Sequence, residues 1–220
     1  MRSLSLALYC EGTTDQRFLP TIIRRTARRI LAQREGSTVE VLPVDIIAVV
    51  ASRRDHSILQ AAYKADHYQA LIVHADADYP TAERARRERF DPGYALVQQC
   101  QDKICKNLVP IIPVYMTEAW MLADHEKLCE AIRTTMRASE LGLPVRTKQV
   151  ETDAHPKETL KQALRIANAH RTRQHGQIEM NMLYEMLPSK IRLHRLQGLS
   201  AYQQFVNDLT QALEQLDLIR

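Results

Sequence analysis

Four short apolar runs, each followed by a segment of helical pattern, fill roughly the first half of this chain. They lie at residues 3–10, 39–50, 69–78 and 109–116. The first run is apolar at nearly every position, as expected for a strand buried on both faces of a parallel sheet. Beyond about residue 130 the remaining segments show helical periodicity only. This order predicts an α/β domain over residues 1–128, with a mostly parallel four-stranded sheet, and a helical extension packed on it over 129–220.

Prolines constrain where two of these strands lie in the sheet. Pro43 interrupts the second run, and Pro110 and Pro113 lie in the fourth. Because proline has no amide hydrogen to donate to a neighbouring strand, we expect both strands at a sheet edge or irregular in form.

Composition narrows the class of protein. Of 220 residues, 45% are apolar and 25% charged, and no run approaches the ~20 apolar residues of a membrane span. The four cysteines lack metal-type spacing, which favours reduced thiols in a cytoplasmic protein. The net charge of +4 is too small to indicate a nucleic-acid partner by itself. No phosphate-binding loop of the GxxxxGKS/T kind is present, so the chain does not itself resemble an ATPase.

The stretch CEGTTDQ, residues 10–16, joins the first strand to a helix. Gly12 allows a sharp turn of the backbone at this point. Thr13 and Gln16 have the spacing of a capping box, so we expect their side chains to satisfy the first free amides of the helix. Glu11 is thereby held where the strand ends.

Acidic residues follow three of the predicted strands. Glu11 ends the first, Asp76 and Asp78 end the third, and Glu118 follows the fourth. Ligands of open α/β sheets bind outside the carboxyl ends of the strands, and alternate residues of an extended chain face the same side. Carboxylate oxygens are the ligands that Mg²⁺ prefers, and Mn²⁺ can substitute. We expect Glu11, Asp76 and Asp78 to lie within roughly 4–8 Å of one another and bind Mg²⁺, with Glu118 completing a second site or orienting water.

Each of these residues also has a structural explanation. Glu11 would favour the positive end of the following helix, the aspartate pair would cap a loop, and Glu118 would cap a helix. His74 lies inside the third apolar run and is predicted as a core histidine rather than a ligand. Asp124 is predicted to face solvent. The position of the acids at three strand ends nevertheless favours a metal site.

Basic residues near this edge are candidates for phosphate contacts. Arg84, Arg86, Arg87 and Arg89 follow the aspartate pair closely, although intervening glutamates dilute their charge. Lys157 lies in HPKETL, residues 155–160, which has the pattern of a proline-started helix. Contacts of this kind bind nucleic acid without sequence preference and weaken with salt.

Four segments together resemble a known family. They are CEGTTDQRFL, IVHADAD, PVYMTEAWMLAD and HPKETL. The EG pair after strand one and the DxD after strand three resemble the TOPRIM (topoisomerase–primase) fold, a three-layer Rossmann-like domain. The wider pattern is similar to a small TOPRIM-like family of prokaryotic proteins related to the nuclease part of overcoming-lysogenisation-defect proteins.

The resemblance implies roles for particular residues. Glu11 would be a general acid or base and metal contact, and Asp76 and Asp78 would hold Mg²⁺. The lysine that some relatives use beside the metals has no clear match here, and Lys157 is the nearest candidate. The implied activity is Mg²⁺-dependent hydrolysis of DNA or RNA in phage defence, beside an AAA- or ABC-type ATPase.

Two other functions stay open on the sequence. One is a non-catalytic TOPRIM-like interaction module that docks a partner ATPase. The other is a receiver domain, which would require a lysine at the end of the last strand, where Tyr115 and Met116 stand. No tyrosine has a position expected of a topoisomerase nucleophile, which favours hydrolysis over strand passage. A homo-oligomer is also left open.

Overall fold

The computed structural model describes residues 2–33, 39–50, 53–170 and 176–219. Its strands are β1 (Arg2–Leu4), β2 (Leu6–Tyr9), β3 (Val39–Val41), β4 (Asp45–Ile46), β5 (Ala70–His74) and β6 (Leu108–Ile111). The main sheet has the order β4-β2-β5-β6 with every pair parallel, and β1 pairs with β3, also in parallel. The α/β class and the parallel four-stranded sheet are therefore confirmed.

The two proline-containing strands lie at the edges, as predicted. Pro43 falls in the gap between β3 and β4, and Pro110 lies within the edge strand β6. A matching gap separates β1 from β2 at Ser5, whose amide donates to the side-chain oxygen of Gln69 at 2.8 Å. The central strands β2 and β5 consequently carry the uninterrupted ladder.

Helices connect and cover these strands. Their bounds are α1 (Thr13–Ala32), α2 (Arg54–Lys64), α3 (Glu83–Ala85), a π-helix (Arg86–Phe90), α4 (Asp91–Gln99), α5 (Glu118–Leu122), α6 (His125–Ala131), α7 (Thr147–Val150), α8 (Pro156–Ala169), α9 (Met180–Lys190), α10 (Leu193–Leu196) and α11 (Ser200–Gln215). The predicted capping box is wrong, because Gly12 is the N-cap of α1 and no side chain caps this helix.

The two faces of the sheet support two separate hydrophobic clusters. Leu6 and Leu8 of β2 pack in the cluster that contains the apolar side of α1. Ala7 and Tyr9, which alternate with them, pack in the cluster of α2 and α4. Burial of each leucine stabilises the fold by about 1.5–3 kcal/mol. β2 is thus buried on both faces, as the sequence predicts. Its carboxyl end is therefore held between two layers of helices.

Past residue 129 the described segments contain helices and no strand. They join the α1 side of the core, where the Trp120 ring meets that of Tyr202 edge-on at 5.3 Å between centroids. Helices α8 and α9 pack next to each other in this region, and α9 also packs on α1. Within the described residues, no helix is both long and apolar enough to cross a membrane.

Candidate metal centre

The end of β2, the end of β5 and the first turn of α1 meet at one edge of the sheet. Their side chains line a pocket of about 230 Å³. It is formed by Glu11, Gly12, Asp15, Arg54, His74, Ala75, Asp76, Asp78 and Arg89. Since β2 and β5 are adjacent and parallel, the residues that follow them emerge side by side.

The centre of this pocket is a cluster of two aspartates and a histidine. One potential ligand atom from each of Asp15, His74 and Asp76 lies within 4.8 Å of the other two. The Nε2 atom of His74 is 3.3 Å from Asp76 Oδ1, and its Nδ1 atom is 3.9 Å from Asp15 Oδ2. The imidazole is thus placed between two carboxylates, and the three residues can hold a metal ion.

The cluster is buried on one side and open on the other. The side chains of Asp15 and His74 are 8% and 4% exposed, whereas that of Asp76 is 34% exposed. Burial raises the pKa of Asp15 above its ordinary value, although the neighbouring His74 opposes this effect. A cation at this position would stabilise the ionised form of Asp15, since an opposite charge favours a buried carboxylate.

Gly12 gives Asp15 its place in the cluster. A Cβ atom at position 12 would lie 2.2 Å from Asp15 Oδ2, which is far inside van der Waals contact. The backbone of Gly12 is extended, with φ −84° and ψ 136°, a conformation open to any residue. The glycine is therefore required for close approach and not for the sharp turn that the sequence predicts.

Thr117 fixes the orientation of the other two members. Its backbone amide donates to Asp76 Oδ1 at 3.0 Å, and its hydroxyl lies 3.2 Å from His74 Nε2. Thr117 is the N-cap residue of α5, but its hydroxyl bonds the histidine and caps no helix amide. Two hydrogen bonds of Thr117 therefore connect the start of α5 to the cluster.

The two remaining predicted ligands, Glu11 and Asp78, line the same pocket but belong to ion pairs. Glu11 Oε1 is 2.8 Å from Arg54 Nη1, and Asp78 Oδ2 is 2.6 Å from Arg89 Nη2. Both carboxylates are more than half exposed. The structure thus brings the predicted Glu11, Asp76 and Asp78 to one pocket, with Asp76 alone of the three in the histidine cluster.

Glu118 is buried and lies outside the residues that line the pocket. Its carboxylate accepts a hydrogen bond from the Tyr184 hydroxyl and is 3.7 Å from Lys157 Nζ. Burial raises the pKa of Tyr184, and its bond to Glu118 raises it further. The charge of Glu118 also contributes to the raised pKa of Asp15, so the two carboxylates interact. Lys157 therefore reaches the acidic region through Glu118.

Of the four arginines predicted to contact phosphate, Arg89 lines the pocket and the other three lie outside it. Arg84 pairs with Glu88 at 2.8 Å, and Arg86 pairs with Asp208 of α11 at 3.0 Å. Arg87 is exposed on the same segment. None of the three lines the pocket of the metal cluster.

Asp15, Arg54 and His74 line the pocket but were not predicted from the sequence as part of it, whereas Arg89 belongs to the arginine cluster predicted to contact phosphate. Asp15 is in the quoted CEGTTDQ stretch, and its position in the first turn of α1 is a signal that was available. Arg54, at the start of α2, carries no pattern that links it to the strand ends. His74 is buried as predicted and is nevertheless part of the cluster.

A family model described as a domain of unknown function (DUF4276) matches residues 10–210 of the chain. The match includes every residue of the pocket. Neither the curated proteins nor the solved structures contain a match.

Proposed function

This chain belongs to the DUF4276 family, and we propose that it is a metal-dependent nuclease that hydrolyses nucleic-acid phosphodiesters with Mg²⁺ or Mn²⁺. The observation that carries the proposal is the Asp15–His74–Asp76 cluster at the carboxyl edge of a parallel sheet. Its exposed side, at Asp76, leaves room for a substrate oxygen beside a cation. The order of Glu11 and the aspartate pair, which resembles TOPRIM, also supports it.

The donor set decides which cations fit. Two carboxylates suit a hard cation such as Mg²⁺, which keeps several waters for a phosphate-bearing substrate. The imidazole of His74 adds a nitrogen ligand, which suits transition metals better than Mg²⁺. We therefore expect Mn²⁺ to bind more tightly than Mg²⁺.

Each residue of the site would have a distinct role in hydrolysis. Asp15, His74 and Asp76 hold the cation, and Thr117 orients the last two. When bound, the cation would polarise a phosphate oxygen and lower the pKa of a bound water. Glu11, exposed at the rim, would accept the proton of the attacking water. The buried charge of Glu118, which adds to the rise that burial causes in the pKa of Asp15, would add to the attraction of this region for a cation.

The test is degradation of plasmid, linear DNA, single-stranded DNA and total RNA with Mg²⁺ or Mn²⁺. Asp76→Asn removes a ligand charge and should reduce cleavage by roughly 100-fold or more. The matched control is Asp66→Asn, because Asp66 is a partly exposed aspartate that precedes β5 at the opposite end of the strand. If the wild-type protein is folded and binds Mn²⁺ but cleaves none of the four substrates, the nuclease proposal is wrong.

One observation favours a second candidate, a non-catalytic interaction module. The pairing of Glu11 and Asp78 with arginines resembles a structural ion-pair network. In this case a cation stabilises the fold, and the surface docks an AAA- or ABC-type ATPase in a cytoplasmic defence system. Adding a candidate AAA- or ABC-type ATPase distinguishes the two functions, since a module would bind it without any cleavage by the pair.

A further inference from the structure

Arg54 is held in the pocket by more than its ion pair. Its Nη2 atom donates to the carbonyl oxygen of His74 at 2.6 Å, and Nε donates to the carbonyl oxygen of Arg89 at 3.2 Å. Nη1 is the atom that pairs with Glu11. The two backbone contacts fix the guanidinium plane at the edge of the pocket, so its position does not depend on Glu11 alone.

Arg89 is held in a similar way on the other side. Nη1 donates to the carbonyl oxygen of Asp76 at 2.5 Å, while Nη2 pairs with the Asp78 carboxylate. The arginine belongs to the π-helix, and π-turns within helices occur frequently at functional sites. Both guanidinium groups are thus anchored by carbonyls of the segment 74–76 that carries the metal cluster.

The formal charges of the pocket show why a cation matters to these arginines. Four carboxylates line it against two guanidinium groups. The excess of negative charge repels any phosphate. One divalent cation offsets that excess and competes with the arginines for Glu11 and Asp78.

We propose that Arg54 and Arg89 are the phosphate-binding residues of this site, and that a bound divalent cation frees them from Glu11 and Asp78 to receive the phosphate. This inference rests on the proposed function, since the phosphate is that of the nucleic-acid substrate. A guanidinium presents parallel N–H donors that match phosphate and carboxylate equally well. In each arginine one terminal nitrogen therefore holds a carboxylate without the cation and donates to a phosphate oxygen with it, while the donors on the backbone carbonyls stay in place.

The exchange couples the two ligands. If the cation raises the affinity for phosphate by some factor, phosphate raises the affinity for the cation by the same factor. Coupling of this type is commonly about 5–150-fold. We expect inorganic phosphate to bind at least about fivefold more tightly with saturating Mg²⁺ than with EDTA.

The experiment is calorimetric titration of inorganic phosphate into the full chain, with and without Mg²⁺. Arg54→Lys and Arg89→Lys keep the charge but lose the parallel N–H donors, and each should weaken phosphate binding by about tenfold while Mg²⁺ binding in the absence of phosphate is kept. The matched control is Arg53→Lys, since Arg53 is an exposed neighbour paired with Asp55 outside the pocket. It should bind phosphate as the wild type does.

Glu11→Gln gives a test of opposite sign. It leaves Arg54 without its carboxylate, so phosphate binding in EDTA should strengthen by at least about threefold, although Mg²⁺ binding weakens. A purely structural Arg54–Glu11 pair predicts no gain. The proposal is overturned if both lysine variants, folded by circular dichroism, bind phosphate like the wild type, or if Mg²⁺ leaves phosphate affinity unchanged.

The experiments can distinguish failure of the phosphate-binding proposal from failure of the nuclease proposal. Coupled binding of phosphate and Mg²⁺ without cleavage of any nucleic acid would leave the arginine pair standing and reject the nuclease. Cleavage at wild-type rates by both lysine variants would reject the arginine pair and retain the nuclease.

Discussion

Two buried aspartates in this molecule differ in how their charge is satisfied. The Asp124 side chain is fully buried, and Arg192 donates to it from its backbone amide, Nε and Nη2 at 3.0, 2.8 and 2.6 Å. Burial alone would raise the pKa of Asp124, but these hydrogen bonds outweigh it and lower the pKa. Asp15 is also buried, yet the pKa of its carboxyl is raised and its nearest ionisable nitrogen is 3.9 Å away on His74.

The contrast separates a structural carboxylate from a functional one. A buried charge is tolerated when it is paired and hydrogen-bonded, and Asp124 meets this condition within the fold. Asp15 meets it only in part, because burial raises its pKa and outweighs His74 and the Thr117 side chain, which lower it. Perturbed groups of this type in a cleft are candidates for function. The fold holds Asp15 at a cost in stability that a cation would offset.

The two aspartates should act oppositely on stability as pH changes. For Asp124 the folded pKa is below the unfolded value of about 3.9, so its stabilisation is present above that pH and is lost as pH falls through the folded pKa. For Asp15 the folded pKa is raised, so the native state binds the proton more tightly. Its effect favours folding at low pH and declines as pH rises through the raised pKa.

The largest expected effect is that of Asp124→Asn. The amide cannot accept three charge-assisted bonds, so the free energy of unfolding should fall by about 2–4 kcal/mol in urea denaturation at pH 7. Glu126→Gln is the control, because Glu126 is an exposed partner of the same arginine. It should leave the free energy of unfolding nearly unchanged, since exposed ion pairs contribute little. Equal losses in the two variants would remove the distinction between the buried and the exposed acid.

Adding a divalent cation should stabilise the protein through Asp15. Mn²⁺ at about 100 times its dissociation constant should add about 2.7 kcal/mol, seen as a rise in the melting temperature that EDTA reverses. Asp76→Asn should lose most of this rise, while Asp66→Asn should keep it. A rise of the same size in Asp76→Asn would place the cation outside the cluster.

The sequence predicts well what depends on local pattern. Alternating apolar positions in β2 and the prolines of the edge strands were sufficient to predict the sheet, because these features act within one strand. The strand-end rule likewise predicted that Glu11, Asp76 and Asp78 share a pocket.

Contacts between distant segments were not predictable in this way. Asp124 is predicted to face solvent, and this is wrong because Arg192, 68 positions later, covers it. Arg54 reaches the pocket through the backbone carbonyl of His74, a contact that has no sequence signature. Asp15 turns towards His74 because α1 begins immediately after Gly12, a boundary that the expected capping box obscured.

Asp15→Asn should stabilise the cation-free protein. Removing an uncompensated buried charge is expected to raise the free energy of unfolding by about 0.5–2 kcal/mol at pH 7 in EDTA, as at other strained functional positions. The gain should vanish near pH 3, where the wild-type carboxyl is itself protonated, and urea titrations at both pH values measure it. A loss of stability at pH 7 would mean that the carboxylate is already satisfied, and the contrast with Asp124 would fail.

The smallest expected change in stability is that of Gly12→Ala, which tests the cluster by geometry alone. The extended backbone of Gly12 accepts alanine, which lowers the entropy of the unfolded chain and stabilises the fold by ~0.4–1 kcal/mol. This gain offsets part of the energy needed to displace the Asp15 side chain, so the free energy of unfolding should change by less than about 1 kcal/mol. The new methyl group should still push the Asp15 carboxylate out of reach and weaken Mn²⁺ binding about tenfold in calorimetry. Gly176→Ala, where a Cβ meets nothing within 4 Å, is the matched control. Unchanged Mn²⁺ affinity in Gly12→Ala would show that Asp15 is not a ligand, because its oxygen cannot keep the present position beside that methyl group.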